Sequence, residues 1–348
     1  MDENNAQLVR LFFVKTELER VVADMIAGSF NDDATCLLFA YKERLLGSYL
    51  WGGWSQKKYL ALTDIKGLFS GQRVALSHLS EIESSIKIVG DEIKDIEIYL
   101  SRLKNNNSNY SIRYLQKRYG EFNVGVCIIP HGASSFYRGI LTPKELKKIK
   151  SKNNILVRTL FPKLEYFEFS GERYGADTDV VKRIYTFPGH VLDHPKAEFI
   201  DISSFRRDSG AGAESNDALI VGQPVYMRQR LTPDQVEKIN LRISQLLKER
   251  GCGKVYFLPH PREDGSMCFF QPGFELIKVA EPLELMLLNR AFKTVISSFS
   301  TGLFTSQIIL GDHCQTYAVG MNLVNVDEDE LTQLRSGFEG VGVNMIDI

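Results

Sequence analysis

The sequence predicts an α/β fold with two Rossmann-like domains that face each other across a cleft. Short apolar runs of strand length alternate with segments whose apolar residues recur at helical spacing, a pattern typical of parallel sheets covered by helices. The 348 residues exceed one ordinary hydrophobic core. The alternation stops once, between about 199 and 217, and then restarts. Two domains are therefore expected.

The first half begins with a buried strand from Leu8 to Val14, a two-residue loop and an amphipathic helix that ends near Gly28. Further strands are predicted at TCLLFAY, IKDIEIYL and NVGVCII, and a helix at SIRYLQKRY. The Asn-rich NNNSNY before that helix is predicted to be a polar loop. The segments YLALTDI and RVALSHL indicate further elements of unassigned type.

A flexible linker is indicated by FRRDSGAGAESND, which is rich in Gly, Ser and charge. We therefore divide the chain into domains 1–205 and 206–348, with the last residues able to pack back on the first domain. The second half restarts with a strand at DALIV and a long helix that has a Thr232 cap, Pro233 and a terminal Gly251. Strands at KVYFL, FELIK, TVISS and QTYAV and helices at PLELMLLNR and FTSQIIL follow.

Charge and cysteine content argue against a nucleic-acid-binding protein and against a disulfide-bonded one. Forty-two basic residues balance 43 acidic ones, so no overall positive field favours nucleic acid as a partner. Five scattered cysteines without a CxxC pair indicate reduced thiols in the cytoplasm. The acidic amino terminus and the short apolar runs predict neither a signal peptide nor a membrane span. The chain is expected to be cytoplasmic, with peripheral contact to a membrane left open.

Polar side chains follow two of the predicted strands in the second half. His260 and Pro261 come after KVYFL, and Ser297, Ser298 and Ser300 end the run TVISSFS. In open α/β sheets, ligands bind beyond the carboxyl ends of strands, and hydroxyls and main-chain N–H groups at a helix start hold anions. These residues predict a phosphate site. The alternatives are an ordinary turn at His-Pro and helix capping by one serine.

Weaker candidates flank these motifs. Glu284, in the first turn of a helix, could accept hydrogen bonds from a ribose diol or only favour the helix dipole. Gln223 in VGQP follows the first strand of the second domain and could reach a nucleotide or form a turn. Lys15 and Thr16 follow the first strand of the chain and could bind substrate or cap the helix.

The motifs FFVKT, IPHGASS, VGQP, YFLPHPRE, PLE and ISSFST occur in an order that resembles bacterial sialyltransferases of the polysialyltransferase and lipooligosaccharide sialyltransferase types. This resemblance implies a glycosyltransferase B fold and inverting, metal-independent transfer of sialic acid from CMP-sialic acid to a glycan of a capsule or lipooligosaccharide. It also implies no cofactor, and a cytoplasmic location with association to the inner membrane as a further possibility.

The resemblance also implies roles for individual residues. The acceptor would bind to domain 1–205 and the CMP-sugar to domain 206–348. His260 and the Ser297-Ser298 pair would hold the CMP phosphate, with His260 as general acid, and Glu284 would hold the ribose. Pro261, Gln223 and Ser300 complete the nucleotide-sugar side. The acceptor or sugar side would include Lys15, Thr16, Gly132, Ser134, Ser135 and Arg138.

His131 is where the sequence departs from the family. Related enzymes carry an acidic residue directly before glycine as the general base, and this chain has His131-Gly132. An imidazole is a competent base near neutral pH and adds no negative charge beside an anionic donor. We therefore predict that His131 is the base. The alternatives are a substrate-binding loop residue or a chain that has lost activity.

Other readings of function stay open at this stage. The donor could be a CMP-linked pseudaminic acid, legionaminic acid or Kdo, since the phosphate ligands would meet the same CMP. A UDP-sugar enzyme or a non-catalytic nucleotide-sugar-binding protein could also use this fold. The resemblance implies metal-independent transfer, so no metal is expected.

Overall fold

The computed structural model describes residues 7–61, 69–90, 92–131, 140–153, 155–172, 175, 177–187, 194–200, 216–225, 230–260, 263, 267–278 and 283–348. Within them the chain forms two compact α/β units, each built on one parallel sheet. This confirms the predicted pair of Rossmann-like units.

The first unit contains a seven-stranded sheet among the described residues, in the order β3-β2-β1-β4-β5-β6-β7. The strands are β1 Gln7–Val14, β2 Thr35–Ala40, β3 Gln56–Tyr59, β4 Ile93–Leu100, β5 Val124–Ile128, β6 Val181–Thr186 and β7 Ala197–Phe199. The helices are α1 Glu17–Ser29, α2 Ser70–Val89, α3 Asn106–Tyr119, α4 Pro143–Lys150 and α5 Ile155–Leu160.

The second unit contains a six-stranded sheet among the described residues, in the order β10-β9-β8-β11-β12-β13. The strands are β8 Ala218–Val221, β9 Val255–Leu258, β10 Glu275–Leu276, β11 Thr294–Ser297, β12 Gln315–Val319 and β13 Asn344–Ile346. The helices are α6 Pro233–Glu249, α7 Leu283–Asn289, α8 Thr301–Leu310 and α9 Glu328–Gly340.

Strand order reverses once in each sheet, and this fixes where ligands can enter. β1 lies between β2 and β4, and β8 lies between β9 and β11. From β1 the chain continues to β2 on one side and later returns to β4 on the other side. It continues from β8 to β9 and later returns to β11 in the same way, so a crevice opens at the carboxyl ends of β1 and β8. The loops that follow β1, β4, β8 and β11 border these crevices.

The central strands are mostly apolar because helices cover both faces of a parallel sheet. In β1, six consecutive residues from Val9 to Val14 are buried, and all four residues of β8 are buried. Such runs cannot be told from helix segments by periodicity alone, but their length of four to eight residues favours strands. The predicted strands and helices accordingly match the observed ones closely.

Two elements differ from the expectation. NNNSNY is not a loop: α3 begins at Asn106, and the buried Asn109 amide donates to Leu103 O (2.8 Å) and accepts from Phe167 N (2.7 Å). Tertiary hydrogen bonds thus hold a polar segment in a helix. RVALSHL belongs to α2, whereas residues 62–65 of YLALTDI lie outside the described residues.

The predicted domain boundary between residues 205 and 206 lies outside the described residues, which skip 201–215. We expected that the last residues could pack back on the first domain. In the structure they form β13, which pairs with β12, and Ile348 N donates to the Asn322 side chain. No helix in the described part of the chain is both long and apolar enough to span a membrane.

A buried charge network fixes α1 against the loop that precedes β3. Arg20 and Asp24 are both fully buried and form an ion pair one helical turn apart. Asp24 also accepts hydrogen bonds from Leu50 N (2.9 Å) and from the Trp54 indole (2.8 Å). Trp54 is thus part of the buried core of the first unit.

Replacing Asp24 with alanine should destabilise the first unit by about 3–5 kcal/mol, because the Arg20 charge would stay buried without its partner. The control is Glu339→Ala, which removes an exposed ion pair with Arg335 and should cost at most about 1 kcal/mol. Urea denaturation followed by circular dichroism measures both. Equal, small losses would contradict this account of α1.

Candidate functional site

The crevice of the second unit brings together residues from the ends of β8 and β11. Gln223 follows β8, and Ser297 ends β11. The Ser297 hydroxyl donates to Val221 O (2.7 Å) and lies 3.2 Å from Gln223 Oε1, which also accepts from Phe299 N (2.9 Å). Both side chains are buried. They hold the two strand ends together at the point where the strand order reverses.

Ser298 differs from Ser297 in its hydrogen bonding. Its hydroxyl is fully buried and has no hydrogen-bond partner among the residues that the structure describes. A buried hydroxyl without a partner is costly, so such a group points to a missing ligand. The sequence alone does not distinguish the two serines. In the structure, Ser297 is hydrogen-bonded, whereas the Ser298 hydroxyl has no partner among the described residues.

Helix α8 starts directly beyond these serines. Ser300 is its N-cap and accepts from Gly302 N (3.1 Å). A Cβ on Gly302 would lie 2.9 Å from the Leu283 side chain and 3.0 Å from Val221, so glycine allows α8 to start close to β8 and α7. The positive end of a ten-residue helix therefore lies beside Ser298, where an anion is favoured.

A half-buried carboxylate, that of Glu263, organises the loop that carries His260. Glu263 Oε2 accepts from His260 N (2.6 Å), while Glu263 N donates to His260 O (2.9 Å). The backbone N–H groups of Gln223 and Cys268 also donate to Glu263, and burial raises its carboxyl pKa despite these donors. A Cβ on Gly222 would overlap this carboxylate. Glu263 thus joins the loops that follow β8 and β9.

Three further predicted residues belong to this unit. Glu284 is buried in the first turn of α7, beside the start of α8. Pro261 lies outside the described residues. His194, the other histidine before a proline, precedes β7 instead of following a strand, and its Nδ1 accepts from Lys196 N (3.1 Å). The two histidines thus differ in their position relative to a strand.

The first unit has a comparable site where β1 ends. Thr16 caps α1 and accepts from Glu19 N (3.3 Å), so its side chain has the capping role that we considered as an alternative. Lys15 is exposed beside it. The Glu19 carboxylate returns to accept from Lys15 N (2.5 Å) and Thr16 N (3.0 Å). This capping box closes the loop between β1 and α1.

Glu19 also contacts His131, which follows β5. His131 Nδ1 lies 2.6 Å from Glu19 Oε1; the glutamate side chain is 2 % exposed and the histidine side chain 30 % exposed. Burial raises the pKa of the Glu19 carboxyl, but the His131 hydrogen bond and charge, with Ser101 and Lys15 as further donors, bring the pKa below its ordinary value. Glu19 is therefore ionised at neutral pH, with one oxygen on the helix start and the other on the imidazole.

The remaining acceptor-side predictions lie outside the described residues: Gly132, Ser134, Ser135 and Arg138. The structure therefore brings together, in the second unit, Gln223, His260, Glu284 and the three serines around the ends of β8, β9 and β11. In the first unit it brings together Lys15, Thr16 and His131. Glu19 and Glu263 were not predicted, although the spacing T-x-x-E from Thr16 is a capping-box signal.

A separate cavity of about 360 Å³ lies at the start of α3. Three lysines line it, and burial together with the charges of Lys148 and Lys104 lowers the pKa of Lys152. Lys104 also contacts Glu145 at 2.9 Å. None of the residues predicted from sequence lines this cavity.

The comparison with protein families gives a match that lies mainly in the second unit. The model of the alpha-2,8-polysialyltransferase family matches residues 194–319, which include β8 to β12 and every described residue of the second-unit site. This match confirms the predicted resemblance to bacterial sialyltransferases and the expectation of a glycosyltransferase. His131 and Glu19 lie outside it. No curated protein matches the chain at a significant level.

Solved structures with similar folds are remote in sequence. The glycosyltransferase B domain of a Photobacterium damselae sialyltransferase is 11% identical with a TM-score of 0.46, over 98% of this chain and 100% of that one. The glycosyltransferase SnogD from Streptomyces nogalater is 10% identical with a TM-score of 0.48, over 98% and 87%. A UDP-GlcNAc 2-epimerase from Neisseria meningitidis is 11% identical with a TM-score of 0.44, over 85% and 79%.

Alanine substitution of Ser297 and of Ser298 should change the free energy of unfolding to different extents. Ser297→Ala removes the donor to Val221 O and should cost about 1–2 kcal/mol of stability, because buried acceptors lose their partner. Ser298→Ala removes a hydroxyl that has no partner in the described chain, so the free energy of unfolding should change by less than about 0.5 kcal/mol. Denaturation of the ligand-free protein tests this. A larger loss for Ser298→Ala than for Ser297→Ala would contradict the assignment.

Proposed function

We propose that the chain transfers sialic acid, or a related nonulosonic acid, from a CMP-sugar to a hydroxyl of a surface glycan, with inversion and without a metal ion. One observation carries the proposal. The polysialyltransferase match covers the crevice in which the buried Ser298 hydroxyl, His260 and the start of α8 lie beyond β9 and β11, the two neighbours of β8. This set of donors is suited to a phosphate.

The donor site divides into groups that would contact the ligand and groups that support them. Ser298, His260 and the start of α8 would donate to the CMP phosphate, and Glu284 would accept from the ribose. Ser297, Gln223 and Glu263 already bond to other protein groups. They would fix the strand ends so that the donors meet the phosphate without rearrangement, which is the condition for strong electrostatic stabilisation.

The reaction needs a base, an acid and a site for the leaving group. The acceptor oxygen would form a bond to the anomeric carbon while the bond from that carbon to the CMP phosphate oxygen breaks. His131 would take the proton of the acceptor hydroxyl, and His260 would give a proton or a hydrogen bond to the departing phosphate. Negative charge grows on CMP as the sugar becomes oxocarbenium-like, so donors aimed at the phosphate lower the barrier.

The proposed acceptors are glycans of a capsule or a lipooligosaccharide, which the resemblance implies. The proposed setting is the cytoplasm, at the inner face of the membrane on which such glycans are built. Both points depend on the resemblance. A membrane flotation assay with and without acceptor glycolipid tests the location.

Donor choice is tested by ligand-induced stabilisation. CMP should raise the melting temperature, because a ligand present at 100 times its Kd adds about 2.7 kcal/mol. UMP and UDP at the same concentrations should add less. Ser298→Ala should weaken CMP binding by about tenfold or more, since it removes a hydrogen bond to a charged group. Stabilisation by UDP alone would instead favour a UDP-sugar enzyme.

The two histidines should fail in different ways. His260→Ala should slow CMP release from CMP-sialic acid on the order of 10²- to 10³-fold, because it removes a donor to the leaving group. His131→Ala should bind CMP normally and lose transfer to the acceptor on the order of 10²- to 10⁴-fold. Product analysis by chromatography measures both rates. CMP binding without any turnover in the unmodified protein would indicate a non-catalytic nucleotide-sugar-binding protein.

A further inference from the structure

We propose that residues 143–163 form a membrane-docking surface of the first unit, in which exposed apolar side chains enter a bilayer and neighbouring lysines bind anionic phospholipid headgroups. These residues include α4, the short 3₁₀ helix Ser151–Asn153 and α5. The inference adds to the proposed function the part of the chain that would contact the membrane. Vesicle binding tests it whether or not the chain transfers sialic acid, because the surface includes no residue of either candidate site.

Helix α5 presents apolar side chains to solvent. Ile155 is 84 % exposed, Leu156 58 % and Leu160 51 %. Leu156 and Leu160 lie one helical turn apart and therefore share a face, whereas Val157 is buried. Three exposed large apolar residues in a helix of six form a patch, and apolar patches rimmed by polar residues mark contacts with proteins or membranes.

The chain on both sides of α5 holds the helix in this orientation. Before the helix, the Asn153 side chain donates to Tyr166 O (2.8 Å) and accepts from Tyr166 N (2.7 Å). After the helix, Leu164 is buried and its N–H donates to Phe161 O (2.8 Å). The exposed apolar face therefore belongs to a helix whose two ends are fixed to the unit.

Positive charge flanks this apolar patch, although 42 basic and 43 acidic residues leave the whole chain almost neutral. Residues 143–163 contain seven basic residues and a single acidic one, Glu145. The basic residues are Lys144, Lys147, Lys148, Lys150, Lys152, Arg158 and Lys163. All but Lys152 are exposed, and within the described chain only Arg158 lies within ion-pair distance of a carboxylate, 3.9 Å from Glu165. Basic residues beside exposed apolar ones are typical of segments that lie on anionic bilayers.

The cavity at the start of α3 adds a concave site to this positive surface. Two lysines of the segment, Lys148 and Lys152, line it together with Lys104. Glu145 supplies the carboxylate of the lining and contacts Lys104 at 2.9 Å. Burial, and then the charges of Lys148 and Lys104, lower the pKa of the Lys152 ammonium. Three lysines against one carboxylate leave positive charge uncompensated, so the cavity is suited to the phosphate of a headgroup.

A bilayer is favoured over an anionic glycan because it uses both features of the surface. A polyanionic glycan could bind the lysines, but its hydroxyl-rich sugars would gain little from the exposed side chains of α5. Acyl chains beneath anionic headgroups bury apolar side chains and attract basic ones at the same time. The short distance in sequence between Lys152 and Ile155 places the two features side by side.

Co-sedimentation with vesicles tests the surface on the unmodified protein. The chain should bind vesicles of phosphatidylcholine mixed with phosphatidylglycerol at least about tenfold more tightly than vesicles of phosphatidylcholine alone, since each basic residue near an anionic surface strengthens binding about fivefold. No acceptor glycolipid is included, so an acceptor site does not contribute. Equal affinity for the two kinds of vesicle, or binding to neither, would overturn the inference.

The apolar contribution is tested by replacing exposed residues of α5. Ile155→Ser combined with Leu160→Ser should weaken binding to the phosphatidylglycerol vesicles on the order of tenfold or more, because two apolar side chains no longer enter the bilayer. The matched control is Ile88→Ser combined with Leu241→Ser, which removes two exposed apolar side chains from α2 and α6. The control should bind these vesicles like the unmodified protein.

The charged contribution is tested in the same way. Lys148→Gln combined with Lys150→Gln should weaken binding to the phosphatidylglycerol vesicles on the order of tenfold or more. Lys238→Gln combined with Lys248→Gln removes two exposed lysines from α6 and should leave binding unchanged. If the lysine variant lost binding while the α5 variant kept it, the surface would be a site for a polyanion such as an acidic glycan, and the inference would be wrong.

This inference and the proposed function fail in distinguishable ways. If the chain bound vesicles only when they carried an acceptor glycolipid, the proposed membrane setting would stand and the docking surface would be excluded. If the chain bound phosphatidylglycerol vesicles with the expected loss in both variants but released no CMP from CMP-sialic acid, the docking surface would stand without the proposed function.

Discussion

In each unit, a carboxylate that accepts main-chain N–H groups shapes the loop at the end of a strand near the sheet centre. Glu19 accepts from Lys15 N and Thr16 N after β1, and Glu263 accepts from His260 N after β9. A loop that leaves a parallel sheet must satisfy its backbone donors away from the ladder. Because the carboxylates do this with fixed geometry, they also determine where the neighbouring histidines lie.

The two carboxylates, Glu19 and Glu263, differ in the other groups that they contact. Glu263 accepts its described hydrogen bonds from backbone groups, namely those of His260, Gln223 and Cys268. This carboxylate therefore stabilises the loop backbone. Glu19 divides its two oxygens between a helix start and an imidazole. Glu263 thus arranges a loop backbone, whereas Glu19 also contacts an imidazole.

The sequence predicts the strand ends well because long buried runs of apolar residues are unambiguous in a parallel sheet. His260, Ser298 and His131 were found in this way, since each follows such a run. The contact between Glu19 and His131 could not be found, because it joins residues far apart in sequence through the order of the strands. The difference between Ser297 and Ser298 likewise depends on which hydroxyl faces Val221 O, a matter of backbone geometry that two identical residue types cannot reveal. The segment NNNSNY was predicted to be a loop because its composition is polar. It is helical because the Asn109 side chain has buried hydrogen-bond partners, which the composition does not reveal.

The reversal of strand order also has a consequence for folding kinetics. Val9 of β1 pairs with Ile96 of β4, and Ala218 of β8 pairs with Thr294 of β11. These pairings close long loops, and contacts of high sequence separation form slowly because loop closure costs entropy before it yields contacts. Each crevice lies along such a pairing. During synthesis at the ribosome, a nascent chain would therefore hold complete helices and single strands well before it holds a place for a ligand.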